Sequence, residues 1–153
     1  MLRLLAAGTY ERLMIGAVAS VAILLAAASL HVYWGAGGSW GKGAAIPERN
    51  GRRVLNPSPA AIYAVAVCLA LAAMLIAMCA GLLPSAGLAS IPRFAAWALA
   101  IIFLARGVGD FRYVGFFKRV RGTRFALLDS AVYSPLCCLL ALLIADAAYV
   151  APR

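Results

Sequence analysis

The hydrophobic and polar positions of this chain divide it into four long apolar runs separated by polar segments. None of the runs shows the strict alternation of apolar and polar residues that marks a half-buried strand. A helix that crosses a bilayer needs about 17–25 apolar residues, and each run has that length or slightly more. Since no water is available inside a bilayer, the backbone groups of such runs must be satisfied within a helix. The pattern predicts an all-α protein, a four-transmembrane-helix bundle, with helices at 13–34, 60–83, 93–110 and 125–150.

Prolines mark several ends of these helices. Pro59 and Pro84 bracket the second helix and Pro92 precedes the third, as expected for residues that begin or stop helices. We expect one integral membrane domain over residues 1–153, in which both termini lie on one side of the membrane. The two long connections, which are the loops 35–59 and 111–124, then lie together on the other side.

Composition confirms the membrane class and excludes others. Of the 153 residues, 65% are hydrophobic and 12% are charged, which excludes a disordered chain, a coiled coil and an ordinary soluble enzyme domain. The net charge of +9 comes from basic residues between apolar runs, and no RNA-binding motif accompanies them, so we expect no nucleic-acid partner. The first apolar run is longer than the 7–15 apolar residues of a secretory signal, so we expect it to be a retained helix.

The basic residues are distributed unevenly between the two sides. Because cytoplasmic loops are enriched in Lys and Arg, we expect the long loops in the cytoplasm and both termini outside. The basic run Lys118, Arg119, Arg121 and Arg124 is predicted to contact anionic lipid headgroups. On the side of the long loops lie ten of the fourteen basic residues: Lys42, Arg49, Arg52, Arg53, Arg106, Arg112, Lys118, Arg119, Arg121 and Arg124.

The end of the first helix carries the first group of candidate site residues. His31 is the only histidine, and a polar side chain at the end of an apolar helix should face the bundle or a wet cavity. A structural hydrogen bond and a role in a site both remain open for it. Tyr33 and Trp34 follow, together with a glycine-rich segment, and both also suit the ordinary aromatic belt of a membrane protein.

The third helix carries an arginine that needs a partner. Arg106 lies within an apolar run, where an unpaired charge costs about 2.5–3.5 kcal/mol on insertion scales. Asp110, four residues further, or Asp129 of the fourth helix can supply the carboxylate. Two interpretations stay open: an ion pair that only locks the helices, or Arg106 and Arg112 binding an anionic group of a ligand.

The fourth helix adds a carboxylate and a phenol beside a proline. Asp129 and Tyr133 are four residues apart, and Pro135 cannot donate a hydrogen bond to the carbonyl of Ala131, which predicts a kink.

The four cysteines lack a Cys-x-x-Cys pair and only one histidine is present, so we expect no metal and no cofactor.

Three strings of the sequence resemble a bacterial membrane family catalogued as domain of unknown function 3995. They begin at His31 (HVYWGAGGSWG), Gly109 (GDFRYVGFFK) and Tyr133 (YSPL). The resemblance covers nearly the whole chain and implies four helices in a bacterial cytoplasmic membrane, without a known reaction. It also places signature residues at positions already singled out, among them Tyr113 and Lys118.

These groups predict a polar pocket at the end of the bundle formed by the long loops. The leading hypothesis is binding of a lipid-like or anionic amphipathic small molecule. One alternative is a membrane enzyme that uses His31 as acid and base with Asp110 or Asp129, assisted by Tyr133. Another is a structural or accessory subunit, and a homo-oligomer or a partner membrane protein remains open. The candidate ligand-binding residues are His31, Tyr33, Trp34, Arg106, Asp110, Arg112, Tyr113, Lys118, Asp129 and Tyr133.

Overall fold

The computed structural model describes residues 2–49, 52–85 and 90–150 of the chain. The ends of the predicted domain, residues 1 and 151–153, lie outside the described residues. The helices are α1 (Leu2–Gly35), α2 (Lys42–Ala45), α3 (Pro59–Cys79), α4 (Ser90–Val108), α5 (Arg124–Leu128) and α6 (Ser134–Val150). A π-helical turn, Asp129–Tyr133, joins α5 to α6, and a small antiparallel pair, β1 (Glu48–Arg49) and β2 (Arg52–Arg53), lies in the first long loop.

Among the described residues, four segments are long and apolar enough to cross a membrane, which confirms the predicted all-α architecture. They are Met14–Gly35, Pro59–Cys79, Ser90–Val108 and Arg124–Val150. The second ends four residues before the predicted Leu83, because Gly81 adopts a φ of 75° and the N–H of Leu82 turns back to the carbonyl of Ala77, at 2.8 Å. The third ends at Val108, so Gly109 and Asp110 belong to the loop rather than to the helix.

Local sequence explains where two helices begin. The Ser58 hydroxyl accepts a hydrogen bond from the N–H of Ala61, and Pro59 occupies the first turn of α3. The Thr123 hydroxyl caps α5 in the same way by accepting from the N–H of Ala126. Both caps lie at the end of the bundle that carries the long loops.

The bundle packs as two helix pairs. Helix α1 packs mainly against α3 and α4 against α6, while contacts between α1 and α6 and between α3 and α4 close the bundle. Its core contains large side chains such as Leu24, Ile76 and Ile144 between many buried alanines. Small residues at these contacts let the helices approach closely, which is how helices in a bilayer gain packing energy.

The two long loops meet at one end of the bundle. Helix α2 of the first loop packs against α5, which follows the second loop. The Tyr133 hydroxyl also donates a hydrogen bond to the carbonyl of Ala44, at 3.4 Å. The candidate site therefore lies where α1, α4 and α6 meet these loops.

Candidate functional site

The loop after α4 folds back on the end of that helix. Gly109 and Gly115 have φ values of 96° and 88°, and their backbones pass so close together that a Cβ on either would overlap the other strand of the loop. The N–H groups of Phe116 and Phe117 donate to the carbonyls of Gly107 and Val108, at 3.0 and 3.5 Å. The loop thus satisfies carbonyls that would otherwise be left open at the end of α4.

Asp110 holds the first half of this loop. Its Oδ1 accepts hydrogen bonds from the backbone N–H groups of Arg112, Tyr113 and Val114, at 2.9, 2.7 and 2.9 Å. Desolvation alone would raise the pKa of the Asp110 carboxyl, but these N–H donors outweigh it and lower the pKa below its ordinary value. Asp110 therefore binds the loop backbone, and the carboxylate that pairs with Arg106 is that of Asp129.

Asp129 is the centre of a buried ion cluster. Its carboxylate is fully buried and receives Nη2 of Arg106 on Oδ1, at 2.9 Å. Its Oδ2 accepts from the ammonium group of Lys118 at 3.0 Å and from the backbone N–H of Gly115 at 2.8 Å. The hydroxyl of Ser134 donates to the same oxygen, at 3.2 Å. The carboxylate joins the loop, α4 and α6 at one point.

The π-helical turn aligns these donors. Because Pro135 has no N–H and its ring would crowd the carbonyl of Ala131, a regular α-helix is disfavoured at this point. Instead the N–H of Ser134 donates to the carbonyl of Asp129, five residues earlier. The predicted kink is thus accommodated by one wider turn, which brings the Ser134 hydroxyl onto the Asp129 carboxylate.

Lys118 belongs to this cluster and not to the exposed basic surface. Only 3% of the residue is exposed, and its ammonium group donates to Asp129, to the carbonyl of Gly115 at 2.8 Å and to the hydroxyl of Ser130 at 2.7 Å. These three acceptors match the three protons of an ammonium group. The predicted headgroup contact is therefore wrong for Lys118 in this structure, because no donor is left for a lipid. Arg119, Arg121 and Arg124 are exposed.

Arg106 is only partly satisfied by the cluster. About a third of its side chain, 35%, is exposed, and Nη2 is bound to Asp129. Its Nη1 is buried and, among the described residues, has no hydrogen-bond partner. Arg106 and Lys118 supply two positive charges against the one negative charge of Asp129, so the cluster carries one positive charge in excess.

His31 lies in a separate group of aromatic residues. Its Nδ1 is 2.8 Å from the carbonyl of Ala27 in the same helix, and its ring meets that of Trp34 edge-on at 5.0 Å between centroids. The indole N–H of Trp34 donates to the carbonyl of Trp40 at 2.8 Å, and the Tyr33 hydroxyl accepts from the N–H of Trp40 at 3.4 Å. These contacts fold the glycine-rich segment back over the end of α1.

The structure does not bring His31 together with a carboxylate. Among the described residues, the ion pairs within 4.0 Å are those of Arg106 and Lys118 with Asp129. The remaining candidates lie at the periphery: the Arg112 guanidinium stacks over the Tyr113 ring at 5.1 Å, and Tyr133 bonds to the first loop. The candidate residues thus divide into the ion cluster, the aromatic group around His31, the loop residues Asp110, Arg112 and Tyr113, and Tyr133 by itself.

Three contributors to the cluster are absent from the candidate list. The hydroxyls of Ser130 and Ser134 flank the Asp129 segment, and the N–H of Gly115 binds its carboxylate. A serine next to Asp129 and another beside Pro135 were visible signals, since small hydroxyls often satisfy buried charges. The contribution of Gly115 comes from its backbone, which no side-chain pattern reveals.

Comparison with known proteins gives a family and no activity. A family model described as "Protein of unknown function (DUF3995)" matches residues 13–144, which include the whole ion cluster. Neither the curated proteins nor the solved structures contain a match to this chain.

Proposed function

The chain belongs to the DUF3995 family of proteins of unknown function, and we propose that it binds the anionic group of a lipid-like amphipathic molecule at Arg106. The ligand site lies where α4 meets the folded loop 109–118. The protein is a multi-pass membrane protein, so the bilayer is the source from which we expect the ligand to come.

One observation carries the proposal: the buried Nη1 of Arg106 has no hydrogen-bond partner among the described residues, in a cluster with an excess positive charge. A buried donor without an acceptor is costly, by about 1–3 kcal/mol and more for a charged group. An oxyanion next to Nη1 would supply the acceptor and neutralise the excess charge. The exposed third of the side chain gives the direction of approach, and a small shift of the guanidinium would open Nη1 to the ligand.

The surface next to Arg106 suits an acyl chain. Ile102 lies four residues before Arg106 on α4, hence on the same face, and is 59% exposed. A molecule that places its anionic group on the guanidinium would lay its tail along this apolar face. An arginine offers a planar fork of donors that suits carboxylate and phosphate groups alike.

The geometry favours binding over catalysis. An acid–base mechanism at His31 needs a carboxylate within about 3.2 Å, or one water further, to orient the ring. The Nδ1 of His31 instead faces the carbonyl of Ala27, and the four donors on Asp129 hold that carboxylate in the ion cluster.

We further infer that the site faces the cytoplasm of a bacterial plasma membrane. The exposed arginines of the loop end, Arg119, Arg121 and Arg124 among them, support this orientation through the enrichment of basic residues in cytoplasmic loops. The anionic headgroups of that leaflet are their expected partners.

Thermal unfolding of the detergent-purified protein tests ligand binding. We expect dioctanoyl phosphatidylglycerol to raise the Tm more than dioctanoyl phosphatidylcholine, which has the same tails and phosphate but a choline ammonium that offsets the negative charge. A free ligand concentration of one hundred times Kd stabilises the folded protein against unfolding by about 2.7 kcal/mol. Arg106→Lys keeps the charge beside Asp129 but loses the second nitrogen of the guanidinium fork. We therefore expect this variant to need at least about ten times more ligand for the same Tm shift.

Arg53→Lys is the matched control, because Arg53 is an exposed arginine on β2. It should respond as the wild-type protein does. A flat response of the wild-type protein, or equal shifts in the wild-type protein and Arg106→Lys, would contradict the proposal.

A further inference from the structure

Three phenylalanines of the folded loop point away from the protein. Phe111, Phe116 and Phe117, which we term the phenylalanine tip, are 58%, 42% and 62% exposed. The rings of Phe111 and Phe117 lie together, with centroids 6.2 Å apart. All three follow the last residue of α4 and so lie outside the membrane-crossing helices. Exposed apolar clusters of this kind mark a surface that something else covers.

Hydrogen bonds on both sides of the phenylalanine tip hold its backbone in place. Phe111 has a φ of 59°, a conformation that residues with a side chain rarely adopt. The three N–H groups bound by Asp110 hold the chain on one side of the tip, and buried Lys118 anchors it on the other. Backbone strain that the surroundings impose at an exposed residue points to a function for the side chain it presents.

Exposed basic residues lie within the phenylalanine tip and directly after it in the sequence. Arg112, Arg119, Arg121 and Arg124 are all exposed, and Lys118 is the one basic residue of this segment that is buried. An apolar tip with a basic rim has the composition of segments that lie in the headgroup layer of a membrane. Anionic headgroups complement the rim, while the rings reach the acyl boundary.

We propose that the phenylalanine tip inserts into the leaflet next to the loop end and that the arginine rim selects anionic phospholipid there. The loop 109–124 then lies in the headgroup layer instead of projecting into water. This surface is distinct from the ligand site at Arg106, and the two are independent: the tip needs no ligand, and the ligand site needs no inserted ring.

Photo-crosslinking in the full-length protein tests this inference. Phe117 is replaced by p-benzoylphenylalanine, and the protein is reconstituted in vesicles of equal parts phosphatidylglycerol and phosphatidylcholine. Irradiation followed by mass spectrometry identifies the adducts. Phe94, 74% exposed on α4, is the lipid-facing control position, and Asn56, an exposed polar residue of the first loop, is the control outside the tip.

We expect lipid adducts at position 117 in a yield similar to that at 94, few at 56, and an enrichment of phosphatidylglycerol at 117 alone. Replacing Arg119, Arg121 and Arg124 by Gln should abolish the enrichment and keep the adducts. Arg106→Lys should change neither, which separates this test from that of the ligand site. Absence of lipid adducts at 117, adducts to a protein chain there, or equal use of both lipids would overturn the inference.

Discussion

The carboxylate of Asp129 accepts four hydrogen bonds from three parts of the chain. One of the donors is the ammonium group of Lys118, a residue that is only 3% exposed. Without the ammonium group, Arg106 still compensates the Asp129 charge, but the acceptors on Gly115 and Asp129 lose a donor, and a buried acceptor left unpaired costs about 1–3 kcal/mol. We therefore expect Lys118→Met to destabilise the protein by that amount. Unfolding of the purified protein in mixed micelles, followed by intrinsic fluorescence, measures the change.

Arg119→Met is the matched control for Lys118, since Arg119 is its exposed neighbour. Its effect should stay within about 0.5 kcal/mol, as for most surface substitutions. Equal stability losses in the two variants would show that Lys118 contributes no buried ion pair.

The carboxyl of Asp110 should give the folded loop a dependence on pH. Its pKa is lower in the folded loop than the ordinary 3.8, so its hydrogen bonds stabilise the loop fully above that value and less as the pH falls through the lowered pKa. Amide shifts of Arg112 and Val114, followed by NMR from pH 6 downwards, should titrate with a midpoint below the ordinary value of the carboxyl pKa. Asp110→Asn should remove this titration, and a midpoint at or above the ordinary value would contradict the assignment.

At the scale of one residue, the sequence showed that a buried charge requires a partner, but it did not show which residue is that partner. An arginine within an apolar run requires a carboxylate, and the sequence narrowed the choice to Asp110 or Asp129. The choice depends on where α4 ends, and the positive φ of Gly109 turns Asp110 away from that helix. Lys118 was grouped with its basic neighbours because nothing in a run of charges shows which one is buried.

The folded loop depends on a close backbone crossing at Gly109. A methyl group there would overlap the carbonyl of Val114 and would also be strained by the positive φ. Gly122 has a φ of 82° but open space around it, so Gly122→Ala carries the strain alone. We expect Gly109→Ala to lower the stability by more than about 2 kcal/mol and Gly122→Ala by about 1 kcal/mol.

The unfolding experiment in micelles compares these two variants directly. Similar losses for Gly109→Ala and Gly122→Ala would mean that the crossing is not required. A larger loss for Gly109→Ala, together with loss of amide protection at Phe116 and Phe117, is the expected result.

At the scale of elements, the long helices were accessible from the apolar runs because a bilayer forces helical structure on them. The short elements were not. Helices α2 and α5 and the β1–β2 pair contain only two to five residues each, too few to leave a periodic pattern. Pro135 predicted a local departure from regular α-helical geometry, but a proline alone does not distinguish a kink from the π-helical turn that forms here.

At the scale of the whole molecule, we infer the orientation in the membrane from the uneven distribution of basic residues. A C-terminal fusion to alkaline phosphatase, which is active only outside the cytoplasm, should be active, and a C-terminal green fluorescent protein fusion should be dark when exported unfolded. The opposite pair of results would place the loop end outside.

The central claim, that an anionic amphiphile binds at Arg106, is tested most directly by native mass spectrometry of the protein released from its own membrane. The wild-type protein should retain one lipid-like molecule per chain, and tandem fragmentation should identify an anionic group on it. Arg106→Lys should lose this molecule while Arg53→Lys keeps it. Bare protein, or a retained molecule that is neutral or equally abundant in Arg106→Lys, would contradict the account.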